Sequence, residues 1–198
     1  MYSNEKAMNL PRPAAGNGLT SQAGELEKCL SLNKLTQENY SRYKRYERGV
    51  KLDFLPIRMD IETVSACNFK CKMCTVSDWE NGKRAGFVDM GKLDKIIDEQ
   101  YGLTEAKLTG LVEPMLHGDE YFELIRKLRK RHIWVRMVTN ASLLHVDNKS
   151  EKLAKSGVND ITISIDGATK ETFEKIRRQS KFENVIDNCK DLNERLAI

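Results

Sequence analysis

From residue 54 onward the spacing of hydrophobic positions switches repeatedly between two periods, and each switch predicts an element. Ile57, Met59 and Ile61 alternate with Arg58, Asp60 and Glu62, which predicts a strand over residues 57–64. Leu93, Ile96 and Ile97 share one helical face within 90–101. A second strand is expected at 105–109, followed by a helix over 119–131 with Phe122, Ile125 and Leu128 inward. A third strand at 133–138 leads to a helix over 148–156, stopped by Gly157. A fourth strand at 160–165 and a closing helix at 184–196 complete the series. Repeated strand–helix units of this kind imply an α/β fold with a parallel sheet of about four units.

Two of these strands carry a further signal. Strands covered on both faces run apolar throughout. Here Ile161, Ile163 and Ile165 oppose Thr162, Ser164 and Asp166, as the first strand also opposes apolar to charged residues. Period two puts each set on its own face. An open sheet with one wet face satisfies this, as in a partial parallel (β/α) barrel; an edge strand explains one case but less easily both.

Upstream, residues 1–24 carry Pro11, Pro13, Gly16, Gly18 and Gly24 among small polar residues and read as a flexible lead segment. Residues 25–53 read as a helical extension, and 54–198 as the core. In the extension, Tyr40, Tyr43 and Tyr46 interleave with Arg42, Lys44 and Arg45. A helix with one packed tyrosine face and one solvated basic face is the favoured reading over a contact for an anionic ligand.

Composition narrows the class. With 33 basic and 29 acidic residues the net charge of the 198-residue chain is only +4, and the signs are interleaved, so no nucleic-acid partner is expected. No apolar stretch approaches a membrane span. The first residues lack the apolar core of a signal peptide, which makes a cytoplasmic location the default expectation.

Cys67, Cys71 and Cys74 form a C-x-x-x-C-x-x-C run directly after the first predicted strand. Three soft, anionic thiolates this close suit three irons of a 4Fe-4S cluster and leave the fourth open. The alternative is half of a structural zinc site, which needs four protein ligands. No second C-x-x-C occurs, and His117, His132 and His145 are scattered. Cys29 and Cys189 lie far from the run and read as packing residues.

This run, with the segments that follow it, resembles the radical S-adenosylmethionine superfamily. Thr109-Gly110-Leu111-Val112-Glu113-Pro114 is similar to its Gly-x-Gly-Glu-Pro segment, with Val112 where the family has glycine. Thr139-Asn140-Ala141-Ser142-Leu143-Leu144 is similar to Thr-Asn-Gly-x-Leu-Leu, again with a glycine replaced, by Ala141. Ser164-Ile165-Asp166-Gly167, with Arg177 downstream, is similar to its Ser-x-Asp-Gly segment.

The resemblance implies a TIM-like radical S-adenosylmethionine fold that is incomplete, since the usual fold has six units. It implies a 4Fe-4S cluster on Cys67, Cys71 and Cys74, with S-adenosylmethionine chelating the open iron and cleaved reductively to a 5′-deoxyadenosyl radical that takes hydrogen from the substrate. Glu113 would bind the methionyl amine, with Pro114 stiffening the turn. Ser164 would contact the cofactor, and Arg177 its carboxylate. Asp166 would order its loop or face the substrate. Met73 would touch adenine or fill space beside the cluster, and Asn140 would serve the cofactor or only its own turn. The likeness is nearest to SPASM-type members, whose cysteine-rich C-terminal domain has no counterpart here, so the chain reads as truncated. The expected partners are a small-molecule or peptide substrate, a one-electron reductant such as flavodoxin or ferredoxin, and a second chain or missing segment over the open sheet edge. The alternatives are an inactive cluster-binding fragment or partner subunit, and a zinc-binding module.

Overall fold

A computed structural model describes residues 21–47, 49–78 and 86–197. The expected lead segment lies mostly outside these residues, although the first helix already begins within its span. That helix, α1, covers Gln22–Leu32, and the Ser21 hydroxyl caps it by accepting from the Gly24 N–H. Asn33 ends α1 and opens α2, Lys34–Arg45, where its side chain accepts from the Leu35 N–H. Tyr43 of α2 and Tyr46 just after it meet the Phe54 ring edge-on at 5.6 and 5.2 Å, although Tyr43 stays exposed.

The core sheet holds four parallel strands in the order β1–β3–β4–β5, namely Arg58–Asp60, Glu105–Leu108, Trp134–Thr139 and Asp160–Ile163. Arg58 lies opposite Glu105, Ala106 opposite Val135, and Arg136 opposite Asp160. Helices α3 (Met90–Glu99), α4 (Asp119–Lys130) and α5 (Lys149–Ala154) connect the strands. One sheet face is apolar: Ala106, Leu108, Val135 and Met137 are buried and share a core with Leu93 and Ile97 of α3 and with Phe122, Ile125 and Leu128 of α4. The opposite face is polar. Arg58, Glu105, Arg136 and Asp160 form a ladder of alternating charge across all four strands, with N–O separations of 3.4–3.7 Å. These pairs are half-exposed and contribute specificity of register more than stability. The wet face read from the alternation is therefore present, and it explains why the strands are not apolar throughout.

β1 is shorter than the expected 57–64. Ile61 still donates to the Lys107 carbonyl, but Val64 leaves the sheet and bridges Phe87 antiparallel. Gly157 ends the α5 segment at φ +80°, a backbone conformation open to glycine at no steric cost.

Three elements carry no periodic signal in the sequence. β2 (Lys70–Cys71) and β6 (Arg177–Arg178) form a two-residue antiparallel pair that sets Cys71 beside Arg177. α6 (Lys170–Ile176) has a single buried residue, Phe173. Its N-terminal half lies against Gly167, where an added Cβ would stand 2.5 Å from the Phe173 nitrogen. That backbone contact accepts only glycine. The final helix, α7 (Phe182–Leu196), packs beside α5 and α6.

The extension closes the end of the sheet where the strands begin. The Asn39 carboxamide bonds both backbone groups of Leu55, and the Thr36 hydroxyl donates to the Tyr101 carbonyl. Glu25, itself buried, accepts from Arg129 at 2.8 Å and lies 3.0 Å from His132 Nδ1. Each partner precedes β1, β3 or β4. The opposite end, where the strands finish, stays open for chemistry. Among the described residues no helix is long and apolar enough to cross a membrane.

Candidate cluster and cofactor site

Ligands in parallel α/β sheets gather outside the C-terminal ends of the strands. All the motif segments stand there. The cysteine loop follows β1, the Glu113 loop follows β3, Asn140 follows β4 and Ser164 follows β5. They enclose one cavity of about 210 Å³, lined by Cys67, Cys71, Met73, Cys74, Glu113, Asn140, Ser164 and Arg177, together with Thr109–Val112, Val138 and Thr139. Pro114 and Asp166 are set behind this wall. Pro114 is the first residue of a buried 3-10 turn, and Asp166 pairs through a carboxylate oxygen with Arg177 at 2.5 Å.

Glu113 is the most constrained group of the site, with 1% of its surface exposed. Its Oε1 accepts from the Met115 N–H at 3.0 Å and the Thr139 hydroxyl at 2.6 Å, and its Oε2 accepts from the Asn140 N–H at 2.7 Å. The carboxylate thus bolts its own loop to the end of β4. Burial pushes its pKa above the ordinary value, against the lowering pull of these hydrogen bonds. An approaching ammonium would find a lone pair of Oε2 still unused.

The cysteines stand in an enclosed, weakly solvated wall. Burial pushes the Cys67 thiol up to about 11, helped by the nearby Glu113 carboxylate. Cys71 is also raised by burial, while the Arg177 guanidinium, 4.0 Å from its sulfur, pulls it back. Metal binding at these thiols therefore releases protons. Among the described residues no three His, Cys, Asp or Glu side chains converge on a single ion. A four-iron cluster asks for less convergence, because each thiolate meets its own iron.

Three observations test the fit of a cluster with S-adenosylmethionine. Soft thiols on one wall suit iron–sulfur binding. A buried carboxylate across the same cavity suits an amine. The Nε of Arg177 is buried without a hydrogen-bond partner, although the side chain lines the cavity, and an anionic carboxylate would satisfy it. The donor set fits both groups.

The two replaced glycines behave differently. Val112 is not among the residues with positive φ, so valine is accommodated there without backbone strain. Ala141 sits at φ +59° and is fully buried, pinned by the Thr139 hydroxyl at its N–H and by Asn188 at its carbonyl. The left-handed conformation costs an alanine on the order of 1 kcal/mol. Ala141→Val should destabilise the chain by about 3 kcal/mol in chemical denaturation, since a β-branched residue fits neither that conformation nor the filled space. A variant as stable as the parent would refute the strain at this position.

Motif matching gave no role to Asn68, nor to Thr139 and Ser142 within the Thr-Asn segment. Thr139 holds Glu113, while Asn68 and Ser142 bond to each other and to Asn140. The only sequence signal for Asn68 is its place inside the cysteine run.

The sequence profile of the Radical SAM superfamily matches residues 61–197. The chain belongs to the radical S-adenosylmethionine superfamily. Members of this family use a 4Fe-4S cluster and S-adenosylmethionine. The chain is 31% identical over 109 residues to the tungsten-containing aldehyde ferredoxin oxidoreductase cofactor-modifying protein of Pyrococcus furiosus, covering 54% of this chain and 30% of that protein. It is 31% identical over 131 residues to a probable GTP 3',8-cyclase of Saccharolobus solfataricus, covering 66% of this chain and 41% of the relative. This radical SAM chain thus spans less than half the length of these curated relatives. Among solved structures, Streptococcus suis SuiB bound to S-adenosylmethionine matches with a TM-score of 0.60 at 20% identity, covering 88% of this chain and 41% of that one. That likeness speaks to the fold, and it agrees with a partial barrel.

Proposed function

We propose that this chain is the catalytic core, or a major fragment, of a radical S-adenosylmethionine enzyme. The observation that carries the reading is convergence. Three cysteines, a buried glutamate and an arginine with an unpartnered nitrogen come from separate strand ends to one cavity. Cys67, Cys71 and Cys74 hold the cluster. Glu113 orients the amine of the cofactor, Arg177 its carboxylate, and Ser164 and Met73 the nucleoside side. Pro114 and Asp166 support this set from behind by fixing the Glu113 turn and the Arg177 side chain. Asn140 lines the cavity and positions its neighbours. When bound, the cluster supplies one electron to the sulfonium and so provides a 5′-deoxyadenosyl radical for hydrogen abstraction. The chain's own residues bind, orient and exclude water.

The substrate is a small molecule or a peptide, the electron comes from a reductant such as flavodoxin or ferredoxin, and the compartment is the cytoplasm. The polar face and the free edge of β5 leave room for a second chain or segment. Anaerobic reconstitution with iron and sulfide should give a brown protein with about four irons per chain that releases 5′-deoxyadenosine on reduction. Cluster uptake without 5′-deoxyadenosine would leave only the cluster-binding fragment. Stoichiometric zinc without sulfide would replace the reading with a zinc module.

A further inference from the structure

We propose that Asn68 is a positioning residue that fixes the cysteine loop to the end of β4 and so sets where the cluster stands relative to the cofactor. Nothing in the motif series assigns it a role. Its Nδ2 donates to Ser142 Oγ at 2.8 Å, and Ser142 Oγ donates to Asn140 Oδ1 at 2.7 Å. Asn140 Nδ2 then donates back to Asn68 Oδ1 at 2.9 Å. The three side chains close a ring in which every hydrogen points the same way round. Each member both gives and receives, so the bonds polarise one another in the same sense.

The ring joins residues 68 and 140, which are 72 positions apart in sequence. It sits beside Cys67 on one side and beside the Asn140 N–H that grips Glu113 on the other. A backbone bond from the Glu113 N–H to the Ala66 carbonyl, at 3.0 Å, holds the residue just before Cys67. Together these ties make the start of the cysteine loop, the Glu113 loop and the end of β4 one unit. Further along, the β2–β6 pair holds Cys71. The ring thus anchors the first part of the cysteine loop, next to Cys67, while the β2–β6 pair anchors its second part at Cys71.

The ring also redefines Asn140. Its Oδ1 accepts from both the N–H and the hydroxyl of Ser142, and one Nδ2 hydrogen goes to Asn68. A single N–H remains for any ligand. A turn residue acting alone accounts for the bond to the Ser142 N–H and leaves the two bonds made by Asn68 without a purpose. The side chain at position 140 therefore acts mainly through the loop it holds.

The inference rests on the reading that Cys67, Cys71 and Cys74 carry the cluster, and the test separates the two. In the cluster-free full chain, Asn68→Ala should raise hydrogen exchange of amides 67–74 roughly tenfold and leave α4 unchanged, as expected for losing two side-chain hydrogen bonds at one place. Asn68→Asp, which keeps the acceptor for Asn140 Nδ2 but loses the donor to Ser142 Oγ, should restore only part of the protection. In the reconstituted chain, the S-adenosylmethionine concentration that half-shifts the electron paramagnetic resonance spectrum of the reduced cluster should rise several-fold for Asn68→Ala and by less for Asn68→Asp, which keeps one of the two bonds. Parent-like exchange in Asn68→Ala, or exchange raised equally over the whole chain, overturns the inference. A parent chain that takes up no cluster sinks the cysteine reading, while the exchange result still decides the role of Asn68.

Discussion

Cys71→Ala should lose its iron and sulfide after anaerobic reconstitution and form no 5′-deoxyadenosine. The thiol stands in β2, held in place opposite Arg177, and a cluster corner without it meets no other thiol in the cavity wall beyond Cys67 and Cys74. Two thiolates leave a second iron without a protein ligand, and such a cluster degrades rather than anchoring. The fold should survive, because the exchange removes one sulfur from a small buried side chain and costs about 1–2 kcal/mol. Cys29→Ala supplies the control. Its thiol is 4% exposed, donates to the Leu103 carbonyl at 3.7 Å, and lies at the opposite end of the sheet. That variant should lose comparable stability and keep full iron. Iron content measured beside a denaturation curve separates ligation from packing. Parent-like iron in Cys71→Ala, or a large loss in Cys29→Ala, would show the ligands to be misassigned.

The sequence makes the long elements legible because their patterns are physical requirements. Phe122, Ile125 and Leu128 must share a face to enter the core, and the alternation of β1 and β5 shows directly in a sheet with one polar side. The convergence of the candidate site residues on one cavity is legible for a related reason. They stand in short loops at strand ends, where motif spacing fixes their place. What spacing does not carry is the bonding among them. Asp166 reads as a loop residue or substrate contact, yet it holds Arg177; Asn68 is one of the x positions of the cysteine run, yet it crosses to the end of β4. Asn68 and Asn140 stand 72 positions apart, and asparagine or serine is too common in loops to announce such a bond. β2, β6 and α6 are hidden for another reason. Two-residue strands have no period, and a seven-residue helix with one buried side chain has almost none. Ala141 shows the limit from the other side. A departure from the family's glycine is visible in the sequence, but only the backbone shows that the left-handed conformation is retained there, whereas at Val112 it is not needed.

Glu113→Gln should cost about 2–3 kcal/mol of stability, an unusually large penalty for so small a change. The glutamate is surrounded by donors only: two N–H groups and a hydroxyl point at its oxygens. Glutamine offers one oxygen and one NH₂. If its oxygen keeps Met115 and Thr139, its NH₂ faces the Asn140 N–H, and a buried donor is left opposite a donor; the flipped amide is worse. The pH dependence gives a second, independent signature. Burial holds the folded-state pKa of Glu113 above its ordinary value of 4.5, so the folded chain keeps this proton over a range where the unfolded chain has lost it. Its contribution to stability is therefore fully present below that value and declines as pH rises through the folded pKa. Cofactor affinity should move the opposite way, because an amine is attracted to the ionised carboxylate, and binding should strengthen over the same rise in pH. In Glu113→Gln both slopes should flatten, and affinity for S-adenosylmethionine should fall at least about tenfold through loss of a charge-assisted bond. Denaturation curves and binding titrations of the reconstituted protein across this range measure both. If the glutamine variant kept the parent's stability and affinity, Glu113 would be neither the bolt between β3 and β4 nor the seat of the amine.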